Sequence, residues 1–310
     1  MRNPVIDIVK GVAMIFVIIG HSGIPCGLNK FIFSFHMPLF FIIAGYFAKS
    51  NEETNLSFSR SILKDSKRLL LPYVITSIGI ILFTLLRAIF KQDYSIVVEK
   101  TKDMLYVSSD AGPIWFFVAL FWVRIIYRYI MNFRQWALPL SILISGTSIW
   151  IVHHCMQLPF CFLTALAAMV FYAVGWYYYK FGFPKWLLII SMICWPLLLC
   201  SPRIDLYHIN YGIYPLTILG ASGASYILYN LSLYIYKIER ACGVLQWIGK
   251  NSIVILCLHT FDIHCCYVTM ILSGLLSIHL PYWPTQILRD VLVLLASWLF
   301  VTYVKFNEIK

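Results

Sequence analysis

Long apolar runs separated by short polar stretches set the pattern of this chain. A helix needs about 20 apolar residues to cross the hydrocarbon core of a bilayer. On that rule the pattern predicts ten helices, at roughly 5–23, 31–48, 69–90, 113–131, 136–153, 160–179, 186–201, 210–235, 251–274 and 287–304. Helices joined by short turns are antiparallel neighbours. Two connections are long. The stretch 49–68 begins polar and ends basic. The stretch 91–112 carries the apolar segment YSIVV and reads as a short amphipathic surface helix, closing in the turn-forming Ser108, Ser109, Asp110, Ala111, Gly112 and Pro113. Neither an internal repeat nor a low-complexity tract interrupts this order. The expectation is one all-α domain over 1–310, a polytopic integral membrane protein.

Composition agrees with the pattern. The chain is 61% apolar and 12% charged, which excludes an ordinary soluble domain. A net charge of +11 suggests nucleic acid at first sight. That partner is excluded, because the charges sort by loop and leave no soluble basic face. With an even number of spans, both ends lie on one side. Sixteen Lys and Arg fall on the side of the N-terminus and seven on the other, with Lys10 set aside inside the first helix. The positive-inside rule then places both termini in the cytoplasm. Nine cysteines are scattered without zinc-ligand spacing, so neither a metal nor a disulfide framework is expected. The first apolar run is too long, and lacks the small-residue site, for a cleaved signal.

Ionisable residues inside apolar runs are costly and point to chemistry. Lys10 and His21 are eleven residues apart. On a helix that is three turns plus roughly 20°, so the two share a face about 16 Å apart. Asp7, one turn before Lys10, shares that face. Lys10 either snorkels to the cytoplasmic surface or faces the bundle interior, held by Asp7. His36, about one and a half turns into the second helix, is expected at a depth similar to His21. A pair of imidazoles there suits general acid–base work near neutral pH. His259 and Asp262 are three apart and are expected to touch, or Asp262 to meet a first-helix histidine; the bland alternative is a structural clamp between helices. Arg60, Lys64, Lys67 and Arg68 share one broad helical face, either as ordinary inside charge drawn to anionic lipid or as a seat for phosphates. Trp115 is either a sugar platform or an interface tryptophan. In the turn before the ninth span, Asn251 or Ser252 is expected to cap the helix. His153 and His154 point about 100° apart, which argues against one shared metal ion.

Several segments carry a resemblance. Lys10 and His21 match a basic residue, ten residues, then histidine; HMPLFFIIAGYF (His36 to Phe47) is similar to an HMPLFFFISGYF block; RLLLPY at Arg68, GPIWFF at Gly112 and IGKNSIVILCLHTF at Ile248 match further blocks. On these the chain resembles the membrane-bound acyltransferase-3 family of bacteria, and within it sugar O-acetylases of the fucose-4-O-acetylase type. The resemblance implies an O-acetyltransferase of the bacterial inner membrane. It would move acetyl from cytoplasmic acetyl-CoA to a hydroxyl of a cell-surface polysaccharide or lipid-linked sugar. It implies catalysis by His21 and His36, to which the residues themselves add His259 and Asp262. It also implies donor binding by Lys10, Arg68, Lys67 and Lys64, with Trp115 and Asp7 near substrate. The pantetheine arm would thread past Lys10 toward His21, which deprotonates the acceptor or briefly carries the acyl group. Two departures stand out: Lys10 replaces the commoner Arg, and Ala44 stands where Ser is usual before Gly45. The rival readings are a transporter or flippase of a glycan intermediate, against which no inverted repeat is visible, and a non-catalytic membrane partner.

Overall fold

A computed structural model describes residues 3–48, 57–155, 158–265 and 282–308. Among these the architecture is all-α, with one isolated bridge between Asp205 and Asn210. The helices are α1 (Pro4–Gly20), α2 (Cys26–Phe33), α3 (His36–Tyr46), α4 (Phe58–Asp65), α5 (Leu71–Lys91), α6 (Ser95–Tyr106), α7 (Trp115–Ile130), α8 (Ala137–His154), α9 (Phe162–Phe181), α10 (Lys185–Cys200), α11 (Tyr214–Ile235), α12 (Glu239–Lys250), α13 (Ser252–Cys265) and α14 (Tyr282–Glu308). Asn3 starts the fold by capping α1, its side chain accepting from the amides of Val5 and Ile6, with Pro4 at the first helical position. The amphipathic segment expected within 91–112 is α6, tied to α5 by the Tyr73 hydroxyl, which donates to the Met104 carbonyl.

Among the described residues, six helical stretches are long and apolar enough to cross a membrane, and up to seven if the bent pair Cys242–Lys250 and Ser252–Cys265, angled by 74°, is one span, so the expected count of ten is not reached there; part of the expected span 251–274 lies outside the described residues. The reasons are local. Helix α1 has 17 residues and α10 has 16, short for a full crossing. The apolar stretch Asp110–His154 holds both α7 and α8, broken at Arg134 with φ 34°. Asn251 stands immediately before α13, its carbonyl accepting from the Ile255 amide at 3.0 Å, while its side-chain amide donates back to the Trp247 carbonyl at 2.8 Å.

Connections gather at two ends of the bundle. At one end the Arg203 guanidinium donates to Asn29, the Phe160 amide donates to the Tyr106 carbonyl, and the Tyr207 hydroxyl donates to the Val107 carbonyl. At the other, Tyr46 packs on Tyr178 and Tyr179, and Phe58 on Tyr129. Asp65 is buried there and pairs with both Arg124 (3.1 Å) and Arg128 (2.7 Å), which fixes α4 to α7. Between the ends, α3 and α9 cross backbone to backbone. A Cβ at Gly45 would lie 1.9 Å from the Tyr172 carbonyl oxygen, and one at Gly175 would lie 1.9 Å from that of Ile42. Small residues permit this approach, which is how helices pack without a hydrophobic driving force between them.

Gly175→Ala should therefore lower the thermal midpoint in detergent by several degrees, a cost of about 1–3 kcal/mol for overpacking. Gly27→Ala, where a Cβ meets nothing within 4 Å, is the control expected to leave the midpoint in place.

Candidate active site

Helix α1 stops at Gly20, and His21 is its C-cap residue. Stopping there frees the imidazole from the helix barrel and leaves it exposed to a cavity. The cavity measures about 360 Å³. It is walled by the end of α1, by α2 and α3, by Gly112 to Trp115, and by the turn Arg203–His208. Gly112 adopts φ 71°, and a Cβ there would come within 2.8 Å of His264 Nε2, so a larger residue would push into the wall. Trp115 lies at this wall, packed edge-on against Tyr207 with ring centroids 5.6 Å apart.

His36 reaches the same cavity by a different route from the expected one. The second span is not one helix from Phe31; it breaks at Ser34 and Phe35, so His36 is the first residue of α3. The Ser34 hydroxyl donates to the Phe31 carbonyl at 2.7 Å and accepts from Trp195 Nε1 at 2.9 Å, which holds the break open. His36 is buried and its Nδ1 lies 2.8 Å from the Ile32 carbonyl, so that nitrogen carries the proton and Nε2 is the basic one. Phe33 stands between the two imidazoles, its ring centroid 6.2 Å from that of His21 and 4.8 Å from that of His36.

His259 is fully buried on α13, with its ring 5.9 Å from that of His21. The expected contact between His259 and Asp262 does not form: neither ring nitrogen of His259 has a hydrogen-bond partner. Asp262 instead pairs with Arg289 of α14, whose guanidinium also donates to Gln286 at 3.1 Å. Arginine offers a planar fork that outcompetes imidazole for a carboxylate. Nearby the Ser22 hydroxyl donates to the Asp290 carboxylate at 2.7 Å, tying the end of α1 to α14.

The remaining candidates lie at the opposite end of α1. Asp7 is buried, and Lys10 sits 5.8 Å from the Phe47 ring centroid. Lys64 is exposed on α4, while Lys67 and Arg68 are exposed on a π-helical segment, Ser66–Leu70, that joins α4 to α5. The structure thus groups His21, His36, Trp115 and His259 at one end, and Lys10, Asp7, Lys64, Lys67 and Arg68 at the other. His154, at the C-terminal end of α8, stacks on Trp150 at 5.0 Å.

Over residues 3–302 the chain matches the family described as "Acyltransferase domain". The chain belongs to the membrane acyltransferase-3 family. No curated protein and no solved structure matches it. As a multi-pass membrane acyltransferase it needs a polar chamber reachable from an aqueous side, and the His21 cavity has that composition.

Sequence reasoning missed the third wall of the chamber. In the turn after α10, Arg203 lies over the Phe33 ring at 4.2 Å and donates to Asn29 Oδ1 and Asp205 Oδ2, each at 2.9 Å. Asp205 also accepts from the His208 amide at 3.2 Å and faces His208 Nδ1 at 3.1 Å. Burial alone would raise the Asp205 carboxyl, but the hydrogen bonds from His208 and the Arg203 guanidinium hold it below the usual carboxylate range. The signal was present in PRIDLYHIN, where arginine, aspartate and histidine recur within six residues of a short loop.

Removing the Asp262 carboxylate tests whether that pair is structural. Asp262→Ala leaves Arg289 buried without its counter-charge, and the expected loss is about 3–5 kcal/mol, read as a lowered thermal midpoint. An unchanged midpoint with lost turnover would instead make Asp262 a participant in the chemistry.

Proposed function

We propose that this membrane acyltransferase moves an acetyl group from cytoplasmic acetyl-CoA to a hydroxyl of a cell-surface polysaccharide or a lipid-linked sugar. The observation that carries the reading is the cavity in which two imidazoles, His21 and His36, share a wall with Trp115. An acyl transfer of this kind forms one C–O bond and breaks one C–S bond at the acetyl carbonyl. The hydroxyl proton leaves and the sulfur ends as a thiol. A neutral imidazole can take the hydroxyl proton and pass it on to the sulfur, and His21 is the acid–base residue at the reacting carbonyl. Direct transfer is preferred over an acyl-imidazole intermediate because it needs one crossing of the barrier at a single site.

The two-ended distribution of candidates suits a donor and an acceptor arriving from opposite sides. With both termini cytoplasmic, the exposed Lys64, Lys67 and Arg68 face the cytoplasm, where they would hold the phosphates of the donor. Lys10 and His21 lie about 16 Å apart along α1, a distance that an extended pantetheine arm can largely cover. Trp115 and Tyr207 offer aromatic faces to a pyranose on the other side, and the membrane would be the bacterial inner membrane.

Radiolabelled acetyl-CoA supplied to the purified protein in detergent is the direct test. The wild type should release acetate slowly or label an added glycan. His21→Ala should lose at least about 100-fold in kcat, the usual worth of a positioned acid–base group. Turnover that survives His21→Ala removes the residue from the chemistry, and a folded wild type without turnover or acetyl-CoA binding favours the transport reading.

A further inference from the structure

Three imidazoles border the cavity, and they differ in how they are held. His36 is buried with Nδ1 on a backbone carbonyl. His21 packs against Phe33 and His259. His208 has a carboxylate at Nδ1, Asp205 Oδ2 at 3.1 Å. It stands at the open mouth, its side chain 58% exposed, while that of Asp205 is 17% exposed. A carboxylate at Nδ1 fixes the tautomer with the proton on that nitrogen and leaves Nε2 as the basic atom. It also stabilises the imidazolium that forms when Nε2 takes a proton.

The turn is built to keep this pair in place. Asp205 and Asn210 exchange backbone hydrogen bonds, both at 2.9 Å. Ile209 takes φ 55° and Gly212 φ 53°, so the chain reverses tightly after His208. Tyr207 anchors the turn to the Val107 carbonyl at 2.9 Å, and the Thr164 hydroxyl donates to the Tyr207 carbonyl at 3.2 Å. Arg203, pinned by Asn29 and the Phe33 ring, donates to the same Asp205 Oδ2 that faces His208 Nδ1, while Oδ1 accepts from the His208 amide. The charged and titratable groups that line the cavity with His208 are Asp205, Arg203 and Tyr207 from its own turn, His21 from the end of α1 and His36 from α3.

The geometry points to His208 as a second base of the acyl transfer, oriented by Asp205, which takes the proton of the acceptor hydroxyl at the mouth of the cavity. This rests on the acetyltransferase reading above and divides its proton transfers between two groups. As the acceptor oxygen bonds to the acetyl carbon, its proton passes to His208 Nε2. As the C–S bond breaks, the coenzyme A sulfur leaves as a thiolate; His208 passes its proton to water at the mouth, and the neutral His21 relays it to the sulfur. Both imidazoles end neutral and the sulfur ends as a thiol. Acceptors enter from the side where His208 is exposed, and donors from the far end of α1, so each substrate meets its own imidazole. Asp205 touches neither substrate and is a positioning residue.

Acetyl-CoA hydrolysis tests this with water as the acceptor, so no sugar need be known. Wild type, His208→Gln, His208→Ala and Asp205→Asn are compared in detergent, each first shown to be monodisperse. Glutamine still reaches Asp205 and holds the turn, but it cannot take a proton. The expected result is a fall in kcat of about 100-fold or more in both His208 variants, with the KM for acetyl-CoA unchanged. Added imidazole should restore part of the rate in His208→Ala alone. Asp205→Asn should show a smaller fall in kcat. Full activity in His208→Gln, or a rise in KM in place of a fall in kcat, would reduce His208 to a structural role and overturn the proposal. A wild type that hydrolyses no acetyl-CoA while binding it would overturn the acetyltransferase reading and this one with it; loss confined to the His208 variants leaves that reading in place.

Discussion

The Arg203 guanidinium is the group on which the outer wall of the cavity depends. Its face lies over Phe33 at 4.2 Å, and its edges donate to Asn29 and Asp205. Two parts of the chain meet there: α2, up to its last residue before the break at Ser34, and the turn after α10. A guanidinium can do this because it is flat, permanently charged and has donors on two edges, so it stacks and hydrogen-bonds together. A lysine would keep the charge and lose the geometry. The aromatic face it covers is the ring that separates His21 from His36. One cation thus sets both the spacing of two imidazoles and the orientation of the carboxylate beside a third.

A second constraint is helix α1 itself. Its 17 residues span about 25 Å, and it carries a lysine just before its midpoint and a histidine as its C-cap. Close packing surrounds the path between them. Val9, Ala13, Met14, Val17 and Ile18 are buried, and Asp7 lies in the same packed environment near the start. The π-helical segment at Ser66–Leu70 adds to the asymmetry: its extra turn of backbone leaves Lys67 and Arg68 exposed while Leu69 is buried. The anchor beneath it is the Asp65 carboxylate between Arg124 and Arg128. A basic surface held by an internal ion pair is stiffer than a loop of lysines.

Much of this was legible from the apolar pattern, and the failures have physical causes. The runs located nearly every long helix because burial in a bilayer dictates composition over a whole helix length. The break at Arg134 falls between two of the expected spans, 113–131 and 136–153, but the runs missed the break at Ser34, where side-chain hydrogen bonding acts over one or two positions. The grouping of His21 with His36 followed from a short turn between helices, which is local information. The partner of Asp262 did not, since Arg289 is 27 positions away and the i,i+3 rule could only propose His259. Likewise the Arg203–His208 turn enters the cavity through contacts to Asn29, 174 positions away, and to Val107, 100 away. Charges in a loop read as solvated until tertiary structure supplies what they face.

The unpartnered nitrogens of His259 follow from the same reasoning. An imidazole buried without a hydrogen bond is costly, and such groups persist where the surroundings overrule the cost. Here α13 is fixed to α14 by the Asp262–Arg289 pair, and α1 is fixed to α14 by Ser22 and Asp290. His259 is therefore carried to within 5.9 Å of His21 by two links that do not involve its own ring. That arrangement leaves its nitrogens without hydrogen-bond partners beside a cavity-lining histidine, and the two links to α14 bear the cost of burying them there.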